Sequence, residues 1–580
     1  MMNSVAARLA GSGLLAATAL VGSLLVNHPA AAQSASQLAG IQAQIQQLQA
    51  QLRRLQREAA SRDAALKRAE DDAAQARAQS TQAVQQSHAA PVASAQPFQQ
   101  GPVIMGAPST PPSLGGASPQ AIVGTSVDKV NPTFQLGGVS VTLGGFTDLT
   151  GIYRTRNETA GTGTAFNAIP FSNSQNAHTS ELRGTAQVTR FSMLALGHVS
   201  DHSTVSGYGE IDFNAAGASS NSYQSNSYTP RIRHLYATYD DSKYGIHILA
   251  GQTWSFLTPE TVGMVPRKEQ IPLTIDTSYL PGFTQDRNPQ LRVTKDFGGK
   301  FWIGASVEAP QTNYSFATAS GGVLPLQAGQ RVGSTIDYSN AGTGNLNSTA
   351  NYSIDVAPDI IVKAAADPGF GHYEAYGLGR FMKSRVSQVG AGSDKVTFAG
   401  GVGGAATIPL IPKYLDITGD AMAGYGIGRY GAGQLPDATF KADGSPAPLP
   451  ELVAMVGLIG HPVKLVDLYG YAGMEQIGRK TFRSGATTYG YGSSAVINTG
   501  CDTELAAPTA TGGSSCNAQT RSLVNGTVGG WWRFLHGGFG TVLAGTQYSY
   551  TKRIAFHGVG GKPSTDENAV FVTLRYLPFQ

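Results

Sequence analysis

Acidic and basic side chains alternate with apolar ones in two short segments of the chain. In "GYGEIDF", Glu210 and Asp212 fall on one face of a β-strand, because successive side chains of a strand point to opposite faces. In "PRIRHLYATY", Arg231 and Arg233 share a face in the same way. The opposite, apolar face of the two strands would carry Ile211, Phe213, Ile232 and Tyr236. Such a charged surface suits either the wetted face of a soluble sheet or the water-filled lumen of a membrane barrel.

The composition favours the membrane barrel. The chain has 580 residues, of which only 13% are charged, and its net charge of +4 implies no nucleic acid or other polyanion as a partner. Its 72 Gly, 23 Tyr and 22 Phe recur in alternating runs such as "MAGYGIGRYG" and "VLAGTQYSY". Runs of this kind are typical of strands whose outer face meets lipid and carries aromatic girdles.

The N-terminus predicts export. Residues 1–32 contain Arg8, an apolar run from Leu9 to Val26 and the small residues Ala30 to Ala32, which together indicate a signal peptide cleaved before Gln33. The alternative is a transmembrane anchor, since the apolar run is marginally long enough. No later segment approaches the length of a membrane helix, so a membrane location would require a closed barrel.

Two further segments precede the barrel. Residues 33–79 predict a periplasmic α-helical coiled coil, because apolar residues follow spacings of three and four. The heptad positions are Leu38, Ile41, Ile45, Leu48, Leu52, Leu55 and Ala59. The alternative is a single helix packed on another domain. Residues 80–133 are rich in Pro, Ala, Ser and Gln and predict an extended linker.

Residues 134–580 predict an all-β transmembrane barrel of about 16 antiparallel strands. Seven short turns, including one at 461–462, alternate with eight longer connections, including 255–288 and 384–393. Fifteen connections join sixteen strands and leave both ends on the short-turn side, although eighteen strands remain an alternative. A soluble β-sandwich or solenoid is the other alternative; the long uninterrupted segment "GTVLAGTQYSYTKRIAF" favours a membrane crossing.

Four segments between about residues 186 and 297 resemble the DcaP-like porins in order and spacing. They are "YGEIDF", "RIRHLYATY", "LAGQTWSFLTPET" and "RNPQLRVTKDF". The resemblance implies a sixteen-stranded trimeric porin, with an N-terminal coiled coil, that passes small anionic molecules such as dicarboxylates. It also implies lumen-facing basic residues at Arg190, Arg231, Arg233, Arg287 and Arg292.

The sequence departs from the DcaP-like pattern at two places. Met193 stands where the family often has another basic residue, which bears on the preference for anions. The C-terminus "RYLPFQ" ends in Gln580 rather than an aromatic residue. Recognition by the barrel-assembly machinery would therefore depend on Phe579 and Tyr576; the alternative is that assembly proceeds less efficiently.

The connection 255–288 is the predicted constriction of the pore. A loop that folds into a barrel narrows it, and its charges set the barrier to each ion. The charged residues here are Arg267, Lys268, Glu269, Asp276, Asp286 and Arg287, with Arg292 on the next strand. The alternative is a surface loop with solvated charges. For Arg231 and Arg233 the alternative is a cross-strand salt bridge to Glu210 and Asp212 with no role in transport.

No cofactor, metal site or enzymatic activity is predicted. The sequence contains no P-loop, HExxH or GxSxG motif, although a Ser–His pair distant in sequence remains an alternative. Cys501 and Cys516 are the only cysteines, and in an exported chain they predict a disulfide; two free thiols are the alternative.

The sequence thus predicts a passive diffusion channel in the outer membrane of a Gram-negative bacterium. We expect a homotrimer embedded in outer-membrane lipid, with its coiled coil in the periplasm and small anionic solutes as its cargo. The alternative function is a structural tether, in which the barrel only anchors the coiled coil.

Overall fold

A closed antiparallel barrel of sixteen strands dominates the chain. The computed structural model describes residues 133–214, 227–315, 335–341, 351–484, 487–507 and 515–579. The strands are β1 (Val139–Arg154), β2 (Glu181–Thr185 and Arg190–His198), β3 (Ser203–Asp212), β4 (Arg231–Asp241), β5 (Ile246–Trp254), β6 (Arg287–Phe297), β7 (Phe301–Glu308), β8 (Asp359–Ala366), β9 (His372–Gln388), β10 (Ala391–Ile411), β11 (Leu415–Tyr425), β12 (Pro450–Val463), β13 (Val466–Ile477), β14 (Thr520–Gly537), β15 (Gly540–Ala555) and β16 (Ser564–Leu577). This number confirms the prediction of sixteen strands. The predicted signal peptide, the coiled coil and nearly all of the linker lie outside the described residues.

Pairing of the last strand with the first closes the barrel. The register runs from Thr147 opposite Tyr576 to Arg154 opposite Ala569. On its other edge β1 pairs with both segments of β2. Where β2 is interrupted, Gly145 has a φ of 122°, and a Cβ atom there would collide with the carbonyl oxygen of Arg190. Glycine is therefore required for this close approach of β1 to β2.

The two faces of the barrel wall differ in polarity. On β16, Val572 and Leu574 point outward and are about half exposed, whereas Thr573 and Arg575 point inward and are buried. The same alternation of outward apolar and inward polar side chains recurs along most of the other strands. An apolar outer wall around a polar interior is the pattern of a barrel whose outer face contacts lipid.

Short turns and longer connections alternate along the barrel except between β8 and β11, where three short turns follow one another. Two of the predicted connections were wrong. The stretch 384–393 is a tight hairpin, because β9 extends to Gln388 and β10 begins at Ala391. Lys383 and Arg385 both pair with Asp394 at 2.8 Å, which holds these extended ends together. The turn predicted at 461–462 lies instead at 464–465, between β12 and β13.

Several short helices and strands lie outside the sixteen barrel strands. In the described parts of the connections, three 3₁₀ helices lie at Phe166–Ala168, Gln175–His178 and Gly428–Tyr430. The strand Thr133–Leu136 pairs with the start of β1, and Thr335–Asp337 pairs with the end of β9. Three small hairpins are formed by Ser339–Ala341 with Asn351–Ser353, Ala438–Phe440 with Pro446–Pro448, and Lys480–Ser484 with Thr487–Tyr491. Among the described residues, no helix is long and apolar enough to cross a membrane.

Candidate pore constriction

The connection between β5 and β6, residues 255–286, folds into the lumen and crosses it. We call it the lumen loop. Its backbone N–H groups donate to side chains on the opposite wall: Leu273 to the hydroxyl of Tyr471 at 3.1 Å, and Gly282 to Glu475 at 3.0 Å. In the other direction, the indole of Trp531 donates to the carbonyl oxygen of Leu273 at 2.8 Å. Strands β13 and β14 therefore hold a loop that starts from β5.

An apolar core fixes the lumen loop against the wall. Its buried loop members are Ile271, Leu273, Ile275, Tyr279, Leu280 and Phe283, and its wall members include Phe146, Tyr469, Tyr471, Trp531 and Phe571. These side chains exclude water from one part of the lumen. Six of the predicted site residues remain partly exposed: Arg231, Arg267, Lys268, Glu269, Asp286 and Arg287. These six residues line the water-accessible part of the lumen, which is therefore charged and mostly basic.

Three neighbouring strands bring together the charges that the sequence pattern predicted to be neighbours. Arg231 binds Asp212 through two hydrogen bonds of 2.8 and 2.9 Å. Arg233 bridges both acids, at 2.6 Å to Glu210 and 3.0 Å to Asp212. Arg190 lies 3.3 Å from Glu210. We call these five residues the arginine cluster; its three guanidinium groups share two carboxylates, which leaves one positive charge in excess.

A β-bulge within β4 corrects one predicted orientation. His234 lies opposite Glu210 and Ile232 lies opposite Ile211, so that Arg233 has no backbone partner on β3. The extra residue reverses the alternation from His234 onward. Tyr236, predicted to face lipid, therefore points into the lumen, where it is 5% exposed and lies beside Tyr208.

Two further predicted arginines lie next to this cluster. The guanidinium of Arg287 stacks on Trp254, 4.4 Å from the ring centroid. The positive charges of Arg231 and Arg233 are close enough to repel it. Within the described residues its side chain makes no ion pair, and its Nη1 has no hydrogen-bond acceptor. Arg267, from the lumen loop, lies 5.6 Å from the ring centroid of Tyr208. Together they extend the positive surface from the wall to the loop.

Three of the remaining predicted charged residues, Arg292, Asp286 and Asp276, contact partners that the sequence pattern did not reveal. Arg292 lies 3.5 Å from Glu260 of the lumen loop, and Asp286 binds Arg429 of a later connection at 2.7 Å. Asp276 accepts hydrogen bonds from Thr164, and its burial raises the pKa of its carboxyl group, although Arg154 acts in the opposite direction. Lys268 is partly exposed, and its carbonyl oxygen accepts a hydrogen bond from Thr261.

Charged lumen residues on other strands, before and after the arginine cluster, were missed by sequence reasoning. They form the buried pairs Arg154–Glu181, Lys363–Glu374, Arg380–Asp359, Arg533–Asp467 and Arg575–Asp148. Their inward position in strands that otherwise alternate was the available signal. Several of these basic residues contact more than one carboxylate: Arg154 also lies near Glu158 and Glu567, and Arg380 also binds Asp437. In the arginine cluster, by contrast, the guanidinium groups outnumber the carboxylates.

Two other predicted features occupy definite places. Met193 lies on the outer face of β2 and is 49% exposed, so its lack of charge does not affect the lumen. Cys501 and Cys516 are joined as a disulfide, with their Cα atoms 4.7 Å apart, in the connection between β13 and β14.

Comparisons with known proteins find only distant likeness. No protein-family model matches the chain, and no curated protein matches it. Among solved structures, OmpT of Vibrio cholerae in its trimer form aligns over 76% of this chain and 100% of its own, at 9% identity and a TM-score of 0.36. An anion-selective porin from Comamonas acidovorans aligns over 76% and 99%, at 9% identity and 0.38. OprB of Pseudomonas putida aligns over 75% and 94%, at 8% identity and 0.38. At such scores neither ion preference nor oligomeric state follows from the likeness.

Proposed function

We propose that this protein is an outer-membrane porin, a passive diffusion channel for small hydrophilic solutes with a modest preference for anions such as dicarboxylates. One observation carries the proposal: the lumen loop crosses a closed barrel with an apolar outer wall and leaves charged residues on the partly exposed surface. A constriction of this kind limits the size of solutes and sorts them by charge.

The charge count at the constriction supports the preference for anions. The arginine cluster carries one excess positive charge, and Arg287 adds another without an ion pair among the described residues. Arg267 and Lys268 are opposed by Glu269 in the same partly exposed stretch. A lumen with excess guanidinium groups lowers the barrier to anions and raises it for cations.

The dense packing of the lumen loop favours a second function, the structural tether. Leu280 and Phe283 are fully buried inside the barrel, which a wide channel does not require. Planar-bilayer recording of the purified full chain separates the two functions. A channel gives discrete, stable conductance steps, whereas a tether inserts without conductance.

The oligomeric state and the periplasmic helix belong to the same proposal. We expect a homotrimer associated through the outer wall of the barrel, surrounded by outer-membrane lipid and inserted by the barrel-assembly machinery. The coiled coil of residues 33–79 would add to the trimer without creating it, because the heptad positions of its second half carry weaker residues: Arg62, Leu66, Ala69, Ala73 and Ala76. Deletion of residues 33–130 should leave a trimer in mild detergent, and a monomeric product would contradict this expectation.

A further inference from the structure

A cleft opens in the wall at the point where β10 extends beyond β11. The two strands pair from Ile411 opposite Leu415 up to Gly400 opposite Tyr425, and residues 391–399 continue past this point. The cleft has a volume of about 350 Å³. The large side chains that line it are four aromatic residues and two lysines: Phe398, Tyr425, Phe440, Phe482, Lys441 and Lys480.

The cleft lies at a membrane boundary. A tilted strand needs about 9–11 residues to cross the hydrocarbon layer, and β11 has 11 residues. Its last residue, Tyr425, therefore lies where the crossing ends, on the side of the long connections. Phe398 and Tyr425 are 66% and 53% exposed on the outer face, continuous with the exposed Val402 below them. The apolar side of the cleft consequently opens towards lipid.

Two positive charges lie at this apolar cleft. The ammonium group of Lys480 lies 5.5 Å from the ring centroid of Tyr425, and Lys441 lines the same cleft. Within the described part of the chain, neither lysine forms an ion pair with a carboxylate. Paired lysines beside aromatic side chains at a membrane boundary complement a molecule with an anionic head and an acyl chain.

We propose that this cleft binds a phosphorylated lipid of the outer leaflet. Lys441 and Lys480 contact its phosphate, and an acyl chain packs along Phe398, Tyr425 and Phe482. The inference rests on the proposed membrane location of the barrel. Free phosphate offers the same charge without the acyl chain, so it binds much more weakly at this site.

Native mass spectrometry of the full chain in detergent tests the proposal, with bisphosphorylated lipid A and inorganic phosphate as separate probes. The wild-type chain should retain lipid A but not inorganic phosphate. The double variant K441Q/K480Q should bind lipid A more weakly by about five-fold per lysine, the effect of one basic residue at an anionic membrane surface. F482A should weaken lipid A binding as well. Lys464 is an exposed lysine in the turn at the opposite end of the barrel. The variant K464Q is therefore the matched control and should bind lipid A like the wild type.

Equal retention of lipid A by the wild type and the double variant would overturn the proposal. Binding of inorganic phosphate to the wild type as tight as that of lipid A would also overturn it. The same preparations are recorded in planar bilayers of phosphate-free lipid. Conductance without retained lipid A would refute the cleft and leave the channel standing. Lipid A retention without conductance would refute the channel, while the loss of retention in the double variant would still support the cleft.

Discussion

The indole nitrogen of Trp531 donates a 2.8 Å hydrogen bond to the carbonyl oxygen of Leu273, which joins β14 to a loop that leaves the barrel wall at β5. This bond, with the apolar side chains around it, positions the lumen loop across the barrel. The width of the proposed pore therefore depends on residues of the opposite wall as well as on the loop itself.

Replacement of Trp531 by Ala should loosen the lumen loop. The change removes the hydrogen bond to Leu273 and a buried ring, a loss of about 3–5 kcal/mol in a core. Single-channel recordings should show noisier and larger conductance steps. Trp532, the next residue, points outward and is 56% exposed, so W532A is the matched control and should keep the wild-type conductance. Identical traces from the two variants would show that the loop does not depend on this anchor.

Replacement of Arg231 and Arg233 together by Ala should move the reversal potential in a salt gradient towards cations. The double change leaves Glu210 and Asp212 with Arg190 as their only neighbour from the arginine cluster, so the cluster changes from one excess positive charge to one excess negative charge. The variant E210Q/D212N should move the potential in the opposite direction. An unchanged potential in both variants would place the cluster outside the barrier.

Removal of one member of a buried ion pair should also lower the stability of the barrel. A buried ion pair that loses one member destabilises a fold by about 3–5 kcal/mol, so R233A alone should lower the unfolding temperature in detergent more than R231A. Arg233 is 1% exposed and contacts both acids of the cluster, whereas Arg231 is partly exposed and binds Asp212. Equal unfolding temperatures would contradict this ranking.

Replacement of Arg287 by Gln should reduce anion preference with little loss of stability. Its side chain has no carboxylate partner among the described residues, so the change leaves no carboxylate unpaired. Arg385, at the end of β9, is 47% exposed and pairs with Asp394 away from the lumen loop. R385Q therefore changes the net charge equally and should leave the reversal potential unchanged. A similar shift in both variants would indicate a general surface-charge effect.

Thiol labelling of unreduced, denatured protein tests the disulfide between Cys501 and Cys516. A closed loop of this length, with a sequence separation of 15, is worth about 3 kcal/mol in the chain-entropy model. We expect no reactive thiol before reduction and two after it. Two reactive thiols per chain without reductant would refute the pairing.

The barrel and the charge contacts between β3 and β4 followed from local patterns, because the alternation of a strand fixes which side chains share a face. Glu210, Asp212, Arg231 and Arg233 were placed together for this reason. Tyr236 was not placed correctly, because the bulge at Arg233 depends on how β4 pairs with β3. The contact of Asp286 with Arg429 joins two connections that are distant in sequence, and no local pattern predicts it.

Solute flux into proteoliposomes that contain the purified full chain tests the central claim most directly. Swelling rates are compared for a small dicarboxylate, a neutral solute of the same size and a diamine of the same length. We predict that all three enter, with the dicarboxylate fastest and the diamine slowest, because the constriction carries excess guanidinium groups. Swelling no faster than that of protein-free vesicles for all three solutes would contradict the channel, and faster entry of the diamine would contradict its preference for anions.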